Sequence, residues 1–213
     1  MIKTTPFEMV LIIRDTMDRM TQLEEMAKEH GGVLKTSMVV SVGISKPTFA
    51  SFLRKYGYQQ VSAGIYCDPD TWLDELYLLQ LRCPKTIFSH ETALFLFDMT
   101  DREPLAPSVT AKTGYNPSHL TKAGVKVYTV KGELFELGKT TRTTPFGNTV
   151  ATYNPERTIC DIVRSRHSID TQVFQDALKQ YTRRRDKNLH QLMDYARQFR
   201  VEKILTPYLE VLL

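Results

Sequence analysis

The sequence has few cysteines and no long uncharged apolar run, and both absences exclude classes of protein. Its three cysteines, Cys67, Cys83 and Cys160, are odd in number, widely spaced and without a C-x-x-C pair. We therefore expect reduced thiols, with neither a disulfide framework nor a zinc site. The apolar run Met9–Ile13 is too short for a membrane span or a signal peptide. These features predict a cytoplasmic protein with no membrane partner.

The motifs of several common enzyme classes are also missing. The sequence contains no GxSxG, P-loop, HExxH or Rossmann glycine pattern. Ser89–Glu91 places three reactive side chains in a row, but chain neighbours seldom face each other, and we interpret Ser89 as a helix cap. A metal-dependent nuclease using Asp98, Asp101 or Glu133 is a rival interpretation, and no compact carboxylate–lysine motif supports it. We predict a protein that is not an enzyme and has no cofactor or metal.

A third absence is local, because no acidic residue lies between Glu29 and Asp68. An exposed carboxylate would repel phosphate, so a basic segment without acids favours nucleic-acid binding. The isoelectric point near 8.9 permits such binding. The only full charges of this window are Lys35, Lys46, Arg54 and Lys55.

Residues 1–84 predict a winged helix-turn-helix DNA-binding domain with an additional N-terminal helix. We expect that helix from Phe7 to about His30, with an apolar stripe along one side formed by Met9, Ile13, Met20, Leu23 and Ala27. Thr36 is predicted to cap a second helix that runs to Val42. Ser45 caps the third helix, and Pro47 suits its first turn. A hairpin of Gln59–Val61 with Ile65–Cys67 and a helix over Asp70–Leu81 complete the domain.

The second helix of a helix-turn-helix enters the major groove, and its early residues meet base edges. Lys and Arg can bind phosphate or guanine, and Ser and Thr can hydrogen-bond to either. The predicted DNA-binding residues are Lys35, Thr36, Ser45, Lys46, Thr48, Ser51, Arg54, Lys55, Gln59, Gln60 and Ser62. The hairpin carries no Lys or Arg, which indicates modest affinity for one module and favours paired half-sites.

Residues 85–213 predict a mixed α+β domain, so the whole chain is expected to be α+β. This part holds nineteen Lys and Arg against fourteen Asp and Glu. Arg183, Arg184, Arg185 and Lys187 form a basic cluster that we regard as possible contacts to phosphate or to a partner. Strands are predicted at Thr86–Phe88, Ser108–Ala111, Val125–Val130, Glu133–Leu137 and Thr149–Tyr153. Helices are predicted at His90–Phe97, Glu156–Arg164, Thr171–Tyr181, Leu189–Phe199 and Val201–Leu213, the last interrupted at Pro207.

Five short motifs follow one another in a fixed order over residues 35–166. They are Gly43-Ile44-Ser45, Gly64-Ile65-Tyr66, Ser89-His90-Glu91-Thr92-Ala93-Leu94, Thr100-Asp101-Arg102-Glu103-Pro104 and Asn154-Pro155-Glu156-Arg157-Thr158-Ile159-Cys160-Asp161. With the helix-turn-helix pattern, this series resembles the AbiEi family. AbiEi proteins are antitoxins and transcriptional autorepressors of bacterial type IV (abortive infection) toxin–antitoxin systems. The sequence departs from the family at Phe97-Asp98-Met99, where relatives often have His-Gly-Leu.

The resemblance implies a function for each domain. The winged helix would bind double-stranded DNA at inverted repeats in the promoter of its own operon. The C-terminal antitoxin domain would neutralise a nucleotidyltransferase-like toxin without a stable complex, as part of antiviral defence. A plain transcriptional regulator, whose second domain senses a ligand or dimerises, is the alternative. The sequence identifies no residue that relieves toxicity.

Overall fold

The computed structural model describes residues 6–213, with side chains described from residue 17 onward. Within this range the fold is α+β and contains two separate sheets. The chain forms two compact units. The first comprises residues up to Arg82 together with Pro145–Asn148, and the second comprises Cys83–Thr144 and Thr149–Leu213. The sequence predicted a boundary after residue 84 and did not predict that 145–148 belong to the first unit.

The first unit places three helices ahead of a hairpin. Its elements are α1 (Pro6–Glu29), β1 (Val33–Lys35), α2 (Thr36–Ser41), α3 (Lys46–Lys55), β2 (Gln59–Ser62), β3 (Ile65–Cys67) and α4 (Glu75–Arg82). The strands form an antiparallel sheet in the order β1-β3-β2. The sequence did not predict β1. The helix predicted from Asp70 begins only at Glu75. The buried Asp74 precedes it and accepts a hydrogen bond from the Tyr77 N–H at 3.0 Å.

The core of the first unit lies where α1, α2 and α3 meet. Leu23, Val39 and Phe52 are each at most 1% exposed there. Ile44 lies between α2 and α3 and belongs to the same cluster. Met9 and Ile13, which were placed on the apolar stripe of α1, have side chains outside the described residues. Burial of this apolar surface fixes the positions of the three helices and determines which side of α3 remains exposed.

The second unit is a five-stranded mixed sheet with helices. Its elements are β4 (Ile87–Phe88), α5 (His90–Leu96), β5 (Ser108–Lys112), α6 (Ser118–Lys122), β6 (Lys126–Val130), α7 (Gly132–Phe135), β7 (Lys139–Thr143), β8 (Thr149–Tyr153), α8 (Pro155–Arg164), α9 (Thr171–Arg183), α10 (Leu189–Gln198) and α11 (Glu202–Leu212). The strand order is β6-β5-β4-β8-β7. The pairs β5–β6 and β4–β8 are parallel, and the pairs β4–β5 and β7–β8 are antiparallel.

Helix α8 is at the centre of the second unit and is buried along most of its length. Asn154 caps it by accepting a hydrogen bond from the Arg157 N–H at 3.0 Å, and Pro155 occupies its first turn. Ile159, Cys160 and Ile162 are fully buried. Burial raises the pKa of the Cys160 thiol far above its ordinary value, so this cysteine is an unreactive part of the core.

Two predicted secondary-structure features of the second unit are wrong. The strand predicted at Glu133–Leu137 is instead the single-turn helix α7, whose Phe135 is buried. The predicted interruption at Pro207 does not occur, because α11 continues through this residue to Leu212. Strand β7 and helix α6 were not predicted. Among residues 6–213, no helix combines the length and the apolar character needed to cross a membrane.

Candidate nucleic-acid interface

Helix α3 has one packed side and one exposed side. Phe49 and Phe52 are 3% and 1% exposed and pack into the core. The exposed residues fall four positions apart in two adjacent rows, so they cover one continuous surface. The rows are Lys46, Ala50 and Arg54, and Pro47, Ser51 and Lys55. We call this surface the α3 face.

The turn between α2 and α3 is held by local and distant contacts. Gly43 adopts a φ of +85°, which favours glycine, and has open space around it. The Ile44 N–H donates to the Val39 carbonyl at 3.3 Å. Arg19 of α1 donates from Nη1 to the Gly43 carbonyl at 3.1 Å. These contacts fix the direction in which α3 leaves the turn.

Ser45 caps α3 as the sequence predicted. Its Oγ accepts a hydrogen bond from the Thr48 N–H at 3.3 Å and lies 2.8 Å from the Thr48 hydroxyl. The predicted cap at Thr36 is wrong, because Thr36 is the first residue of α2. The cap position is Lys35, whose side chain makes no capping hydrogen bond. Thr36 instead links α2 to the hairpin, since its N–H donates to the Gly64 carbonyl at 2.8 Å.

The four positive charges of the window lie in different environments. Lys35 is half-buried and donates from Nζ to the Leu81 carbonyl at 2.5 Å, so it holds the end of α4. Lys55 donates to the Tyr56 hydroxyl at 2.9 Å. Arg54 is exposed and its described contact is with the Ser51 hydroxyl at 3.4 Å. Lys46 is exposed and has no partner among the described residues, so Lys46 and Arg54 are the charges most available to a ligand.

An acidic residue from outside the window approaches Lys55. The Tyr56 hydroxyl donates a short hydrogen bond to Oε1 of Glu24 on α1. The hydrogen bond and charge interaction with Tyr56 raise the pKa of Lys55, and Glu24 adds to the effect. The window is therefore free of acids in sequence, whereas one end of α3 in the fold contacts a carboxylate through Tyr56.

The β2–β3 hairpin is short and uncharged. Gln59 and Gln60 are exposed, and Ser62 is half-buried. Gln60 donates from Nε2 to the Ser62 carbonyl at 3.1 Å, and the strand register shifts between these two residues. The hairpin can therefore offer amide groups to a ligand but no charge.

The Ser89–His90 motif forms a buried polar network in the second unit. The prediction that the Ser89 side chain caps α5 is wrong. Its Oγ instead lies 2.9 Å from Nδ1 of His90 and accepts a hydrogen bond from the Thr110 hydroxyl at 2.9 Å. Nε2 of His90 lies 3.0 Å from the Ser165 hydroxyl, and its ring stacks on Tyr128 with centroids 3.5 Å apart. His90 is fully buried, with a φ of +50°. Both ring nitrogens are used to hold elements together.

The position of His90 determines its protonation. Burial lowers the pKa of its imidazole well below the ordinary value, and the positive charges of Arg164, Arg157 and Lys126 lower it further. His90 is therefore neutral at pH 7. A neutral, inaccessible imidazole of this kind stabilises the fold and cannot reach an external substrate.

The Asn154–Asp161 motif contains a buried ion pair. Arg157 and Asp161 are 0% exposed, and Nε of Arg157 lies 3.0 Å from Oδ2 of Asp161. Nη1 of Arg157 also donates to the carbonyls of Leu134 and Leu137 at 2.8 and 2.7 Å. Burial raises the pKa of Asp161, and the charge of Arg157 opposes this effect. The motif thus joins α8 to the α7 segment.

The residues of the basic cluster at the end of α9 lie in different environments. Arg184 forms two hydrogen bonds with Asp186, at 2.9 and 2.7 Å, and donates to the Phe97 carbonyl at 2.8 Å. Lys187 donates to the Arg184 carbonyl at 3.1 Å. Arg183 and Arg185 are exposed. The four residues therefore do not form one uniform surface for phosphate.

The acidic residues considered for a nuclease do not come together. Asp98 has a φ of +54° and lies 3.8 Å from the guanidinium of Arg142. Asp101 and Glu133 are exposed on separate segments. Among the described residues, no three His, Cys, Asp or Glu side chains are grouped so that they could hold a metal.

Comparison with known proteins supports the fold alone. The sequence matches no family model and no curated protein. The structure is similar to the crystal structure of the RV2827C protein from Mycobacterium tuberculosis, with a TM-score of 0.54 and 13% identity. The match covers 83% of this chain and 70% of that one. This chain therefore shares an α+β fold with that mycobacterial protein.

Proposed function

We propose that the first unit is a winged helix-turn-helix domain that binds duplex DNA through the α3 face. The element order supports this, because two helices joined by a tight turn precede an antiparallel hairpin. The observation that carries the proposal is the exposure of Lys46 and Arg54 on α3, whose Phe49 and Phe52 are buried in the core. In this assignment the hairpin is the wing.

The dimensions of α3 suit the major groove. Ten residues give a helix of about 15 Å, and the groove is about 12 Å wide. Lys46 and the Ser45–Thr48 cap lie at the end that meets bases, and Arg54 lies about 12 Å further along, near the phosphates. Two available charges per protomer support only weak binding, so we propose that two protomers bind an inverted repeat.

We further propose that the protein is an antitoxin that represses its own operon and counters a nucleotidyltransferase-like toxin in the cytoplasm. The support is the resemblance to AbiEi together with the positions of its motif residues. Ser89, His90 and Arg157 are all buried and bonded within the second unit. They are suited to maintaining a domain fold, and the surface of that domain would then act against the toxin.

The DNA-binding proposal is tested with labelled duplexes. We expect fluorescence anisotropy to show saturable binding to the DNA upstream of the gene, and binding at least about ten times weaker to a shuffled duplex. Lys46→Ala/Arg54→Ala should weaken specific binding strongly, whereas Lys28→Ala, an exposed lysine on α1, should not. Equal binding to both duplexes at about 0.15 M salt would contradict sequence-specific repression.

The antitoxin proposal is tested by co-expression with a neighbouring nucleotidyltransferase-like gene. Wild-type protein should restore growth, and Lys46→Ala/Arg54→Ala should do so equally when both are expressed from a foreign promoter. Normal DNA binding without any rescue would favour the plain regulator. Failure of the double variant to rescue growth at normal protein levels would show that the two units do not divide the work as proposed.

A further inference from the structure

The second unit contains a cavity of about 690 Å³ over one face of its sheet. Lys112 ends β5 and Lys139 begins β7, and both side chains lie on the same face because side chains alternate along paired strands. Lys85, two residues before β4, lines the same cavity. Three lysines from three separate segments therefore meet around one space.

The cavity is positively charged. Glu136 is the one acidic residue in its lining, and it lies 4.0 Å from Nζ of Lys112 and 3.0 Å from Nζ of Lys139. Lys85 is exposed and has no described hydrogen bond or ion pair. Three lysines against one glutamate leave two positive charges uncompensated. A concave site of this kind attracts an anion, and lysine is a common ligand of phosphate.

The other walls provide aromatic and amide groups. Tyr115 lines the cavity, and its hydroxyl lies 3.4 Å from Nε2 of His119. Asn116 is fixed because its Oδ1 accepts hydrogen bonds from the N–H and the hydroxyl of Ser118, at 3.1 and 2.7 Å. Its Nδ2 then remains to donate. A flat ring beside a fixed amide suits a nucleobase, which is recognised by stacking and by hydrogen bonds at its edge.

We propose that this cavity binds a nucleoside phosphate. The lysines bind the phosphate, and the base lies against Tyr115 with its edge towards Asn116. The volume falls within the range of roughly 300 to 1,000 Å³ that is typical of small-molecule sites. The site belongs to the second unit alone, so the inference does not depend on DNA binding by the first unit.

Isothermal titration calorimetry of the full chain tests the proposal. The probes are ATP, GTP, CTP and UTP, with tripolyphosphate and adenosine as probes of the separate moieties. At least one nucleotide should bind saturably and more tightly than either moiety probe. Lys85→Ala should weaken that binding about tenfold. Lys203→Ala, an exposed lysine on α11, should leave it unchanged.

Further measurements keep the result interpretable. Circular dichroism should show that both variants are folded, and Tyr115→Leu should weaken nucleotide binding but not tripolyphosphate binding. No saturable binding of any nucleotide at millimolar concentration would overturn the proposal. Equal affinity for tripolyphosphate and the best nucleotide would overturn the assignment of a nucleoside. If Lys85→Ala weakened binding to duplex DNA and left nucleotide binding unchanged, the cavity would be a DNA-binding surface and the proposal would fail.

Discussion

Replacement of Arg157 by methionine should severely destabilise the second unit. Methionine keeps much of the length of the side chain but removes the guanidinium that lies 3.0 Å from Asp161 and contacts the Leu134 and Leu137 carbonyls. Breaking a buried ion pair by removing one partner costs about 3–5 kcal/mol. The substitution also removes the stacking of the guanidinium on Tyr153, in which Cζ lies 4.0 Å from the ring centroid. We expect the free energy of unfolding to fall by about 4 kcal/mol.

Urea denaturation followed by circular dichroism measures this destabilisation, with Arg185→Met as the exposed control. Arg157→Met/Asp161→Leu should recover at least half of the stability, because no charge is then left buried. The destabilisation should also shrink from about pH 7 to about pH 4. Without Arg157 the folded-state pKa of Asp161 rises further above its unfolded value. The variant is therefore more stable at low pH, where Asp161 is protonated, and it loses this stability as pH rises. A destabilisation below about 1 kcal/mol would refute the structural role of this motif.

Three further predictions concern the fold of the second unit. Burial lowers the pKa of His90, so its neutral form contributes stability that is present above about pH 6.5 and disappears as pH falls. His90→Asn should remove this pH dependence of the free energy of unfolding, which amounts to at most about 1.4 kcal/mol per pH unit in urea titrations. Gly138→Ala should lower the thermal unfolding temperature more than Gly124→Ala does. Both glycines have a positive φ, but only at Gly138 would the new Cβ meet a neighbour, Cβ of Arg157 at 2.6 Å. Equal decreases in unfolding temperature would contradict this packing. Asp170→Ala should lower the free energy of unfolding by about 1 kcal/mol, because the Asp170 carboxylate caps α9 by accepting a hydrogen bond from the Gln172 N–H at 2.7 Å. An unchanged unfolding midpoint would contradict this capping role.

Elements with local signals were predictable from the sequence. Ser45 and Pro47 marked the start of α3, and the structure confirms a helix from Lys46 to Lys55 capped by Ser45. The α+β class followed from the alternation of short β-like and helical segments, and it is confirmed. These signals act within one turn of helix or one hairpin, so they need no knowledge of the rest of the fold.

Elements that depend on distant contacts were missed. Strand β1 has three residues and exists through pairing with β3, about thirty residues away. The α7 segment contains apolar residues that suit a strand. It becomes a helical turn where Arg157 binds the Leu134 and Leu137 carbonyls. Composition and periodicity carry no information about such partners.

The candidate interface shows the same limit. The charges of the window could be counted from the sequence, but their availability could not. Lys35 bonds to Leu81 and Lys55 contacts Tyr56, which in turn contacts Glu24. Only the fold shows that Lys46 and Arg54 are the more accessible pair. DNA binding itself stays a prediction.

The salt dependence of DNA binding tests the central claim most directly. The slope of log K against log salt concentration should become shallower by about 0.9 for each phosphate-binding side chain that is removed. Lys46→Ala/Arg54→Ala should therefore reduce the slope by about 0.9 per protomer, because only Arg54 of the two is assigned to a phosphate, and Lys28→Ala should leave it unchanged. If the double variant bound the upstream DNA with the wild-type slope and affinity, α3 would not be the DNA-binding surface.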